Sequence, residues 1–438
     1  MRIHYFTGGP AGMMCGSCIR DNALAAELIR QGHQVLLLPI YTPTITDEEN
    51  VSQPQVFFSG LSVYAREFVP GMKHMPKWLE DWLDSPKLVN ALTRLSISNS
   101  PKQLGELTVS MLRGEDGTQA EEFEKLVDWL SSQPRPDIVS IPYTLLIRMA
   151  APIKQALGCP VVRTLQGEDL FLDGLIEPYR SQSLELIRRH LNDVDGFIAT
   201  SAYYADFMVG YLGIAREKIH VVPLGIRMEG FERGSRPADA PFTVGYFARI
   251  APEKGLHNLV EAYRILRQDL GVHAARLEVA GYMSQEWRRY LEEAAKQLSR
   301  AGLESEFRYH GQLDREAKIR FYQSLDVLSV PTDYAEPKGL FLLESLAAGV
   351  PAVQPRHGAF PEILEKTRGG LLFEPKLAHK LAEKLHSLWR EPELRREMGR
   401  LGYENVRAHY TVQHEAARAL QVYANVASGA ERPEAVRK

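Results

Sequence analysis

Short apolar runs alternate with segments of helical period along almost the whole chain. The beginning is typical: residues 2–6 predict a strand, 17–31 a helix and 34–40 the next strand, with a glycine-rich segment, 8–16, before the helix. Further strands are predicted at residues 137–141, 160–165, 196–200, 218–222, 243–248, 276–280, 306–310, 327–330 and 351–354. Strands that alternate with helices in this way indicate an α/β fold with parallel sheets.

A polar, turn-rich segment at residues 232–241 divides this pattern into two α/β series. We therefore predict an N-terminal domain over residues 1–230 and a C-terminal domain over residues 231–411. Residues 57–132 are too many for an ordinary connection, and we interpret them as a helical insertion. Several aromatic residues of the insertion either stack on an acceptor or, as their spacing favours, belong to the core. They are Phe57, Phe58, Tyr64, Phe68, Trp78 and Trp82.

Composition and charge exclude some classes of protein. Of the 438 residues, 45% are hydrophobic and 24% are charged, as in ordinary globular domains. The formal net charge of −3 gives no general attraction to nucleic acid or anionic lipid, so we predict no nucleic-acid partner. Peripheral membrane contact is not indicated but is left open. The beginning lacks a signal-peptide pattern, and the three cysteines form no disulfide framework. We predict a cytoplasmic location.

Two carboxylates, Glu336 and Glu344, flank the start of a predicted helix at residues 340–348. The helix is apolar on nearly every face, which is typical of a buried helix, so Glu344 needs a partner such as a pair of ligand hydroxyls. Glu336 lies beside Gly339 and the unpaired N–H groups of the first turn, which are suited to phosphate. Alternatively, Glu336 only complements the helix dipole and Glu344 pairs with an arginine.

Two more loops follow predicted strands, where ligands of open parallel sheets bind. The loop after residues 243–248 contains Arg249 and Lys254, which would neutralise a diphosphate unless they are merely solvated. The loop after residues 306–310 begins with Gly311, and a glycine there permits the close approach of a nucleobase.

These motifs, in this order, resemble those of the retaining GT-B glycosyltransferases, and among them glycosyltransferase family 4. The matching segments are Gly8 to Gly16, Gly32-His33, Val221-Val-Pro-Leu-Gly-Ile226, Gly245-Tyr-Phe-Ala-Arg249, Lys254-Gly255, Tyr309-His-Gly311, Glu336-Pro-Lys-Gly-Leu to Glu344, Ala347-Ala-Gly-Val-Pro351, Gly358-Ala-Phe-Pro-Glu362 and Gly369-Gly-Leu-Leu-Phe373. The resemblance implies two Rossmann-like domains with parallel sheets facing across a cleft. It also implies that a final helix, at about 412–438, packs back on the N-terminal domain.

The resemblance also implies a role for each site residue. Cationic side chains would bind the diphosphate, and helix-end amides would contact phosphate or sugar. Glu336 would hold the sugar, and Glu344 would hold the ribose. The glycine loop would close onto the phosphates. The implied catalytic residues are Arg249, Lys254, Glu336 and Gln166. The implied donor-binding residues are Gly9, Gly16, His310, Gly311, Lys338, Gly339, Leu340, Phe341 and Glu344.

The chain departs from the family pattern at two of these positions. Members often carry a histidine in a His-Gly-x-Asp motif, where this chain has Gln166-Gly-Glu-Asp169. Glutamine cannot take or give a proton, but its amide can bind a sugar hydroxyl. Lys338 replaces an aromatic residue and adds a cation near the sugar or phosphate.

Polar and sulfur-containing side chains follow the glycine loop on the first helix. Cys15 and Cys18 suggest a redox or zinc site, but no second cysteine pair exists, so we predict structural thiols. Asp21 and Asn22 either face the cleft or are solvated residues of the first turn.

We predict a retaining glycosyltransferase that moves a sugar from a UDP- or GDP-type donor to an acceptor hydroxyl. The acceptor, whether a sugar, a lipid-linked sugar or a small molecule, is left open. We predict no metal and no cofactor besides the donor, because cationic side chains and helix-end amides can stabilise the departing diphosphate. The alternatives are a binding protein with weak or no transferase activity, and an epimerase or phosphorylase on the same fold. A nicotinamide dehydrogenase is disfavoured because Gly8-Gly-Pro-Ala-Gly12 lacks the G-x-G-x-x-G spacing.

Overall fold

The chain forms two compact units. A computed structural model describes residues 1–8, 16–57, 100–114, 120–234, 237 and 239–429. Unit 1 comprises Met1–Pro223 together with the chain from Glu415 onward, and unit 2 comprises Leu224–His414. Several residues named above lie outside the described residues: Gly9, Cys15, Phe58, Tyr64, Phe68, Trp78 and Trp82.

Unit 1 is built on a parallel sheet. Its described strands are β1 (Arg2–Thr7), β2 (Gln34–Pro39), β3 (Ile138–Pro142), β4 (Val161–Leu165), β5 (Gly196–Ala199) and β6 (Ile219–Val221). They are ordered β2-β1-β3-β4-β5-β6, and each pairs with its neighbours in parallel. β3 and β4 are buried along their whole length, as expected for strands with helices on both faces.

Helices cover both faces of this sheet. The described helices of unit 1 are α1 (Gly16–Arg30), α2 (Pro101–Arg113), α3 (Ala120–Ser132), α4 (Ala150–Leu157), α5 (Asp169–Asp173), α6 (Tyr179–Arg189), α7 (Ala202–Leu212) and, at the end of the chain, α15 (Val412–Ala427). On one face, Ala416, Ala419 and Tyr423 of α15 pack in a buried cluster with Ile3 and Val162 of the sheet. The final helix therefore completes the core of unit 1.

Unit 2 repeats this plan with another parallel sheet. Its described strands are β7 (Phe242–Phe247), β8 (Ala275–Ala280), β9 (Phe307–Tyr309), β10 (Val327–Leu328), β11 (Ala352–Pro355) and β12 (Gly370–Phe373), in the order β12-β11-β10-β7-β8-β9. Every strand predicted from the sequence is present. β12 was not predicted as a strand; it lies at the edge of the sheet and is buried only at Phe373.

The helices of unit 2 enclose one hydrophobic core with this sheet. Those described are α8 (Leu256–Gln268), α9 (Arg288–Arg300), α10 (Arg315–Gln323), α11 (Leu340–Ala347), α12 (Phe360–Thr367), α13 (Ala378–Arg390) and α14 (Pro392–His409). The predicted buried helix is α11, in which every residue after Leu340 is buried. In the part of the chain that the structure describes, no helix has the length and apolar character needed to cross a membrane.

Candidate functional site

The candidate site of unit 2 lies where the strand order of its sheet reverses. β7 and β10 are neighbours there, and the strands that follow them extend the sheet in opposite directions. Ligands of open parallel sheets bind beyond the carboxyl ends of strands at such a point. The loop after β7 carries Arg249 and Lys254, and the loop after β10 carries Glu336 and Lys338. The structure therefore brings two of the three predicted loops together.

The two loops are in direct contact at Gly255. Its φ of +73° lies in the left-handed region, which favours glycine. A Cβ atom at this position would lie 1.8 Å from the carbonyl oxygen of Pro331 in the other loop. Any side chain at position 255 would push the loops apart.

A hydrogen-bonded cluster of Lys254, Tyr334 and Glu336 joins the loops. Lys254 Nζ donates to Glu336 Oε2 at 2.6 Å and to the Tyr334 hydroxyl at 2.9 Å, and that hydroxyl donates to the same Oε2 at 2.6 Å. Glu336 Oε1 accepts a longer bond, 3.3 Å, from the backbone N–H of Lys338. A carboxylate oxygen can accept more than one such bond, so Oε1 retains capacity for a ligand hydroxyl.

The environment of Glu336 keeps its carboxyl group ionised. Burial alone would raise the pKa, but the charges of Lys254 and Lys338 and the bonds from Lys254 and Tyr334 outweigh it and lower the pKa to about 2. Because the folded-state pKa is below the ordinary 4.5, the stabilisation from ionised Glu336 is complete above that pH and is lost as the pH falls towards 2.

Helix α11 begins next to this cluster. Gly339 precedes it with a φ of +75°, and Leu340 and Phe341 form its start. The first N–H groups of a helix have no intrahelical acceptor and carry the positive end of the helix dipole. Lys254 Nζ lies 5.9 Å from the centre of the Phe341 ring and 4.8 Å from that of Tyr334. Cationic and N–H donor groups therefore converge beside the Glu336 carboxylate.

Gly358, in the loop after β11, fits closely against the backbone of Glu336. The next residue, Ala359, donates its N–H to the Glu336 carbonyl oxygen at 2.8 Å. A Cβ atom on Gly358 would lie 2.4 Å from that oxygen and 2.6 Å from the Glu336 nitrogen. The position of Glu336 therefore depends on the absence of a side chain at 358.

Arg249 stands apart from the Glu336 cluster. Its side chain is 45% exposed and forms an ion pair with Glu253, four residues along the same loop. Exposed pairs of this kind contribute only about 0–1 kcal/mol, so the guanidinium can exchange this carboxylate for another anion at little cost.

Glu344 finds its partners within unit 2. Its Oε1 accepts from Lys318 Nζ at 2.7 Å and its Oε2 from the Tyr322 hydroxyl at 3.0 Å, both residues of α10. The carboxylate and the ammonium are 8% and 5% exposed, so the ion pair is almost completely buried. Neither partner was predicted. The alternative interpretation expected an arginine as the cationic partner, and the structure places Lys318 there. A carboxylate can accept more than two hydrogen bonds, so these two partners do not use its full acceptor capacity.

The third predicted loop lies farther from the point where the strand order reverses. His310 follows the edge strand β9, and its Nε2 lies 2.5 Å from Glu278 Oε2 of β8. Gly311 has a φ of +72°, and a Cβ atom on it would meet no other atom within 4 Å. This open backbone leaves room for a flat ligand group, such as the nucleobase expected from the sequence.

In unit 1, the Gln166-Gly-Glu-Asp169 motif forms a tightly bonded turn after β4. Glu168 accepts from the backbone N–H of Gln166 at 2.8 Å and from that of Thr144 at 3.2 Å. The Tyr204 hydroxyl donates to Asp169 at 2.7 Å. The two acidic residues thus hold the loops after β3 and β4.

Asp21 is completely buried, so it is not the solvated residue of one interpretation. It accepts hydrogen bonds from Tyr5, Thr7, Arg20 and, at 3.4 Å, from Gln166 Nε2. Burial raises its pKa above the ordinary value, and the Arg20 charge and the hydroxyl donors act against that rise. The structure therefore connects Asp21 to the predicted catalytic glutamine.

Three other residues named in the sequence analysis lie in the first part of α1. Gly16 is the first residue of α1, and Cys18 is completely buried. Asn22 is also buried and bonds to the backbone of Glu49 and Val51. Among the described residues, no group of three potential metal-ligating side chains could hold a metal ion.

The strand order, the parallel pairing and the position of the loops define a protein of two Rossmann-like α/β units, the GT-B class of fold. Two family models match the chain: the glycosyl transferase 4-like domain over residues 20–225 and the glycosyl transferases group 1 model over residues 229–405. Together they span most of both units. The chain belongs to the GT-B glycosyltransferases of the family 4 type, and it is a glycosyltransferase enzyme.

Curated relatives agree with this family. The chain is 26% identical to glycogen synthase of Mycobacterium tuberculosis over 306 residues, which cover 68% of this chain and 71% of that protein. It is 24% identical to D-inositol 3-phosphate glycosyltransferase of Paenarthrobacter aurescens over 63% of this chain and 70% of that protein.

Solved structures share the fold. Sucrose-phosphate synthase of Thermosynechococcus elongatus matches 98% of this chain and 100% of its own with a TM-score of 0.71 and 18% identity. Anabaena HepE in complex with UDP and glucose matches 97% of this chain and 99% of its own with a TM-score of 0.66 and 16% identity.

Proposed function

We propose that this glycosyltransferase moves a sugar from a UDP-sugar to an acceptor hydroxyl, with retention at the anomeric carbon and without a metal ion. The observation that carries the proposal is the Lys254–Tyr334–Glu336 cluster at the start of α11, where unit 2 reverses its strand order. It combines a carboxylate able to hold sugar hydroxyls with cationic and N–H groups able to hold phosphate.

Charge balance supports a diphosphate next to this cluster. Lys254 bonds to Glu336, and Lys338 lies close enough to lower the pKa of the same carboxyl. Positive charge at this point comes from the Lys254 ammonium and the start of the α11 dipole, and Arg249 adds its charge when it exchanges Glu253 for the diphosphate. In this proposal these groups stabilise the charge that develops on the departing diphosphate.

In this proposal the acceptor hydroxyl attacks the anomeric carbon from the face that the diphosphate leaves. The configuration at that carbon is therefore retained. Oε1 of Glu336 accepts a sugar hydroxyl and fixes the ring, while Lys254 faces the phosphate through its remaining donor direction. The acceptor hydroxyl loses its proton to the leaving phosphate oxygen, so no protein side chain is needed as a base. Gln166 binds a hydroxyl of the transferred sugar.

UDP is the nucleotide we propose, since Anabaena HepE, a structural neighbour, was solved with UDP and with UDP-glucose. We expect UDP to raise the melting temperature of the protein by several degrees at concentrations well above its Kd, with little shift for GDP or ADP. Thermal unfolding with UDP, GDP and ADP and with one sugar conjugate of each measures this. A shift with GDP alone would change the donor class, and no shift with any of them would contradict the proposal.

Gly358→Ala tests whether the backbone position of Glu336 matters for turnover. The added methyl would lie 2.4 Å from the Glu336 carbonyl oxygen, so we expect the loop to move and kcat to fall by roughly 10- to 100-fold. Gly271→Ala is the matched control, because Gly271 also has a positive φ, +71°, but no atom lies within 4 Å of the added Cβ. We expect the control to lose some thermal stability and to keep its kcat. Equal kcat values for the two variants would show that this contact is unimportant.

A further inference from the structure

The side-chain amide of Gln166 is bonded at one end only. Its Nε2 donates to Asp21 Oδ1 at 3.4 Å. Its Oε1 is buried and has no hydrogen-bond partner within the part of the chain that the structure describes. Leaving a buried carbonyl oxygen unpaired costs about 1–3 kcal/mol, so this oxygen is suited to a donor that a ligand supplies.

The neighbours of Asp21 determine which end of the amide it can hold. Asp21 Oδ1 also accepts from the Tyr5 hydroxyl at 3.0 Å and from Arg20 Nη1 at 3.1 Å, and Oδ2 accepts from Thr7 Oγ1 at 3.0 Å. Surrounded by donors, Asp21 acts as an acceptor. It therefore attracts the NH₂ end of the Gln166 amide and repels the carbonyl end.

The cluster that holds Asp21 is itself fixed in the core of unit 1. The Arg20 guanidinium donates through Nε to Glu415 Oε1 of the final helix at 2.5 Å. The side chains of Arg20, Asp21 and Glu415 are at most 2% exposed. A carboxylate held from several sides in this way has little freedom to follow a rotation of the glutamine.

We propose that Asp21 is a positioning residue that turns Gln166 Oε1 towards the substrate, so that this position binds a sugar hydroxyl as an acceptor only. The inference rests on the proposed function and deepens it. A histidine can present either an N–H or a bare ring nitrogen, whereas the Asp21–Gln166 pair presents only an oxygen. The transferred sugar must then carry a free hydroxyl at this point, and a deoxy sugar leaves the oxygen unpaired.

A double-mutant cycle with UDP-glucose as the donor probe tests this inference. Asp21→Asn removes the feature that orients the amide, and Gln166→Glu places two carboxylates in contact, so we expect each to lower kcat at least tenfold. The double variant removes the repulsion between the two carboxylates, and both ends of the carboxylate at 166 are acceptors, so an oxygen faces the sugar whichever way this group turns. We expect its kcat to return to within about threefold of wild type. If the losses of the single variants simply multiply, or if Asp21→Asn keeps the wild-type kcat, the inference is wrong.

Two further measurements separate this role from a purely structural one. UDP lacks the transferred sugar, so its Kd should be the same in all the variants. Failure of the wild type to bind UDP would instead refute the proposed function. Ser100→Ala removes the N-cap of α2, which accepts from the backbone N–H of Gln103 at 3.3 Å, without touching Asp21 or Gln166, and we expect a lower melting temperature with unchanged kcat. Should the Asp21 variants fail to fold, monodeoxy UDP-glucose analogues decide the matter. Wild type should turn over one of these analogues at least tenfold more slowly than UDP-glucose, whereas Gln166→Leu should not discriminate between the two donors. Equal selectivity of the two proteins would overturn the inference.

Discussion

Glu336→Gln should reduce kcat for donor turnover by roughly 30- to 160-fold, which corresponds to a loss of about 2–3 kcal/mol of transition-state stabilisation. The substitution keeps the shape of the side chain but removes a charge that bonds to Lys254 at 2.6 Å and to Tyr334 at 2.6 Å. It also replaces the hydroxyl-binding oxygens with an amide that can accept at one end only. Steady-state kinetics with UDP-glucose and the Kd of UDP measure the effect.

The pattern of the loss is more informative than its size. In the proposal Glu336 binds the sugar and not the nucleotide, so kcat should fall while the Kd of UDP changes less than about threefold. Glu383→Gln is the matched control, since it removes an exposed carboxylate that pairs with Lys380 on the surface of the same unit. We expect the control to behave as wild type. A Glu336 variant with normal kcat and weakened UDP binding would reverse the assignment.

Glu344→Ala should destabilise unit 2 by about 3 kcal/mol or more, because it leaves the ammonium of Lys318 buried without its counter-charge. The measurement is the denaturation midpoint of the full chain. The proposed ribose contact adds a second expectation. Wild type should bind UDP more tightly than 2′-deoxy-UDP by about tenfold, and removal of the carboxylate should abolish the preference.

A double variant separates stability from ribose binding at Glu344. Lys318→Met combined with Glu344→Gln removes both buried charges and keeps a group that can accept from the Tyr322 hydroxyl. Replacing a buried ion pair in this way is often nearly neutral for stability, so most of the lost stability should return. The preference for UDP over its 2′-deoxy form should remain reduced. A double variant with the full wild-type preference would mean that Glu344 serves only the core of unit 2.

The sequence predicted the fold well because the relevant signals are local. Apolar runs of strand length and helices of regular period recur along the chain, and they recovered every described strand except the edge strand β12. The buried helix α11 was predicted within one residue, since its apolar surface and the glycines at both ends are visible in the sequence. Strand order depends on contacts between distant residues, so the adjacency of β7 and β10 could not be predicted from these signals.

The same limit explains what the sequence missed in the candidate site. Arg249, Lys254 and Glu336 were chosen as ligand-binding residues, but the bond between Lys254 and Glu336 joins residues 82 positions apart. Tyr334 lies two residues before Glu336 and carries no motif that marks it. Lys318 and Tyr322 are four residues apart and so share one face of α10, which offered a weak signal for a buried acidic partner.

The sequence left the environment of Asp21 undecided between a side chain that faces the cleft and one that is solvated in the first turn. Neither interpretation included the buried hydrogen bonds that the structure shows. Alternation along β1 places Tyr5 and Thr7 on the same face, and this face meets α1, so their hydroxyls enclose the carboxylate. Single-residue patterns do not reveal such an enclosure, because it requires the strand and the helix to be packed together.

The packing of the final helix on the first sheet affects the order in which the chain can become folded. Unit 2 is one continuous segment, Leu224–His414, whereas unit 1 needs the chain on both sides of it. During synthesis, the ribosome therefore completes unit 2 while one face of the first sheet still lacks Ala416, Ala419 and Tyr423, and the Arg20 guanidinium still lacks Glu415. The unit whose synthesis starts first is thus the last to acquire its full core, and until then the apolar face that the final helix will cover stays exposed on the nascent chain.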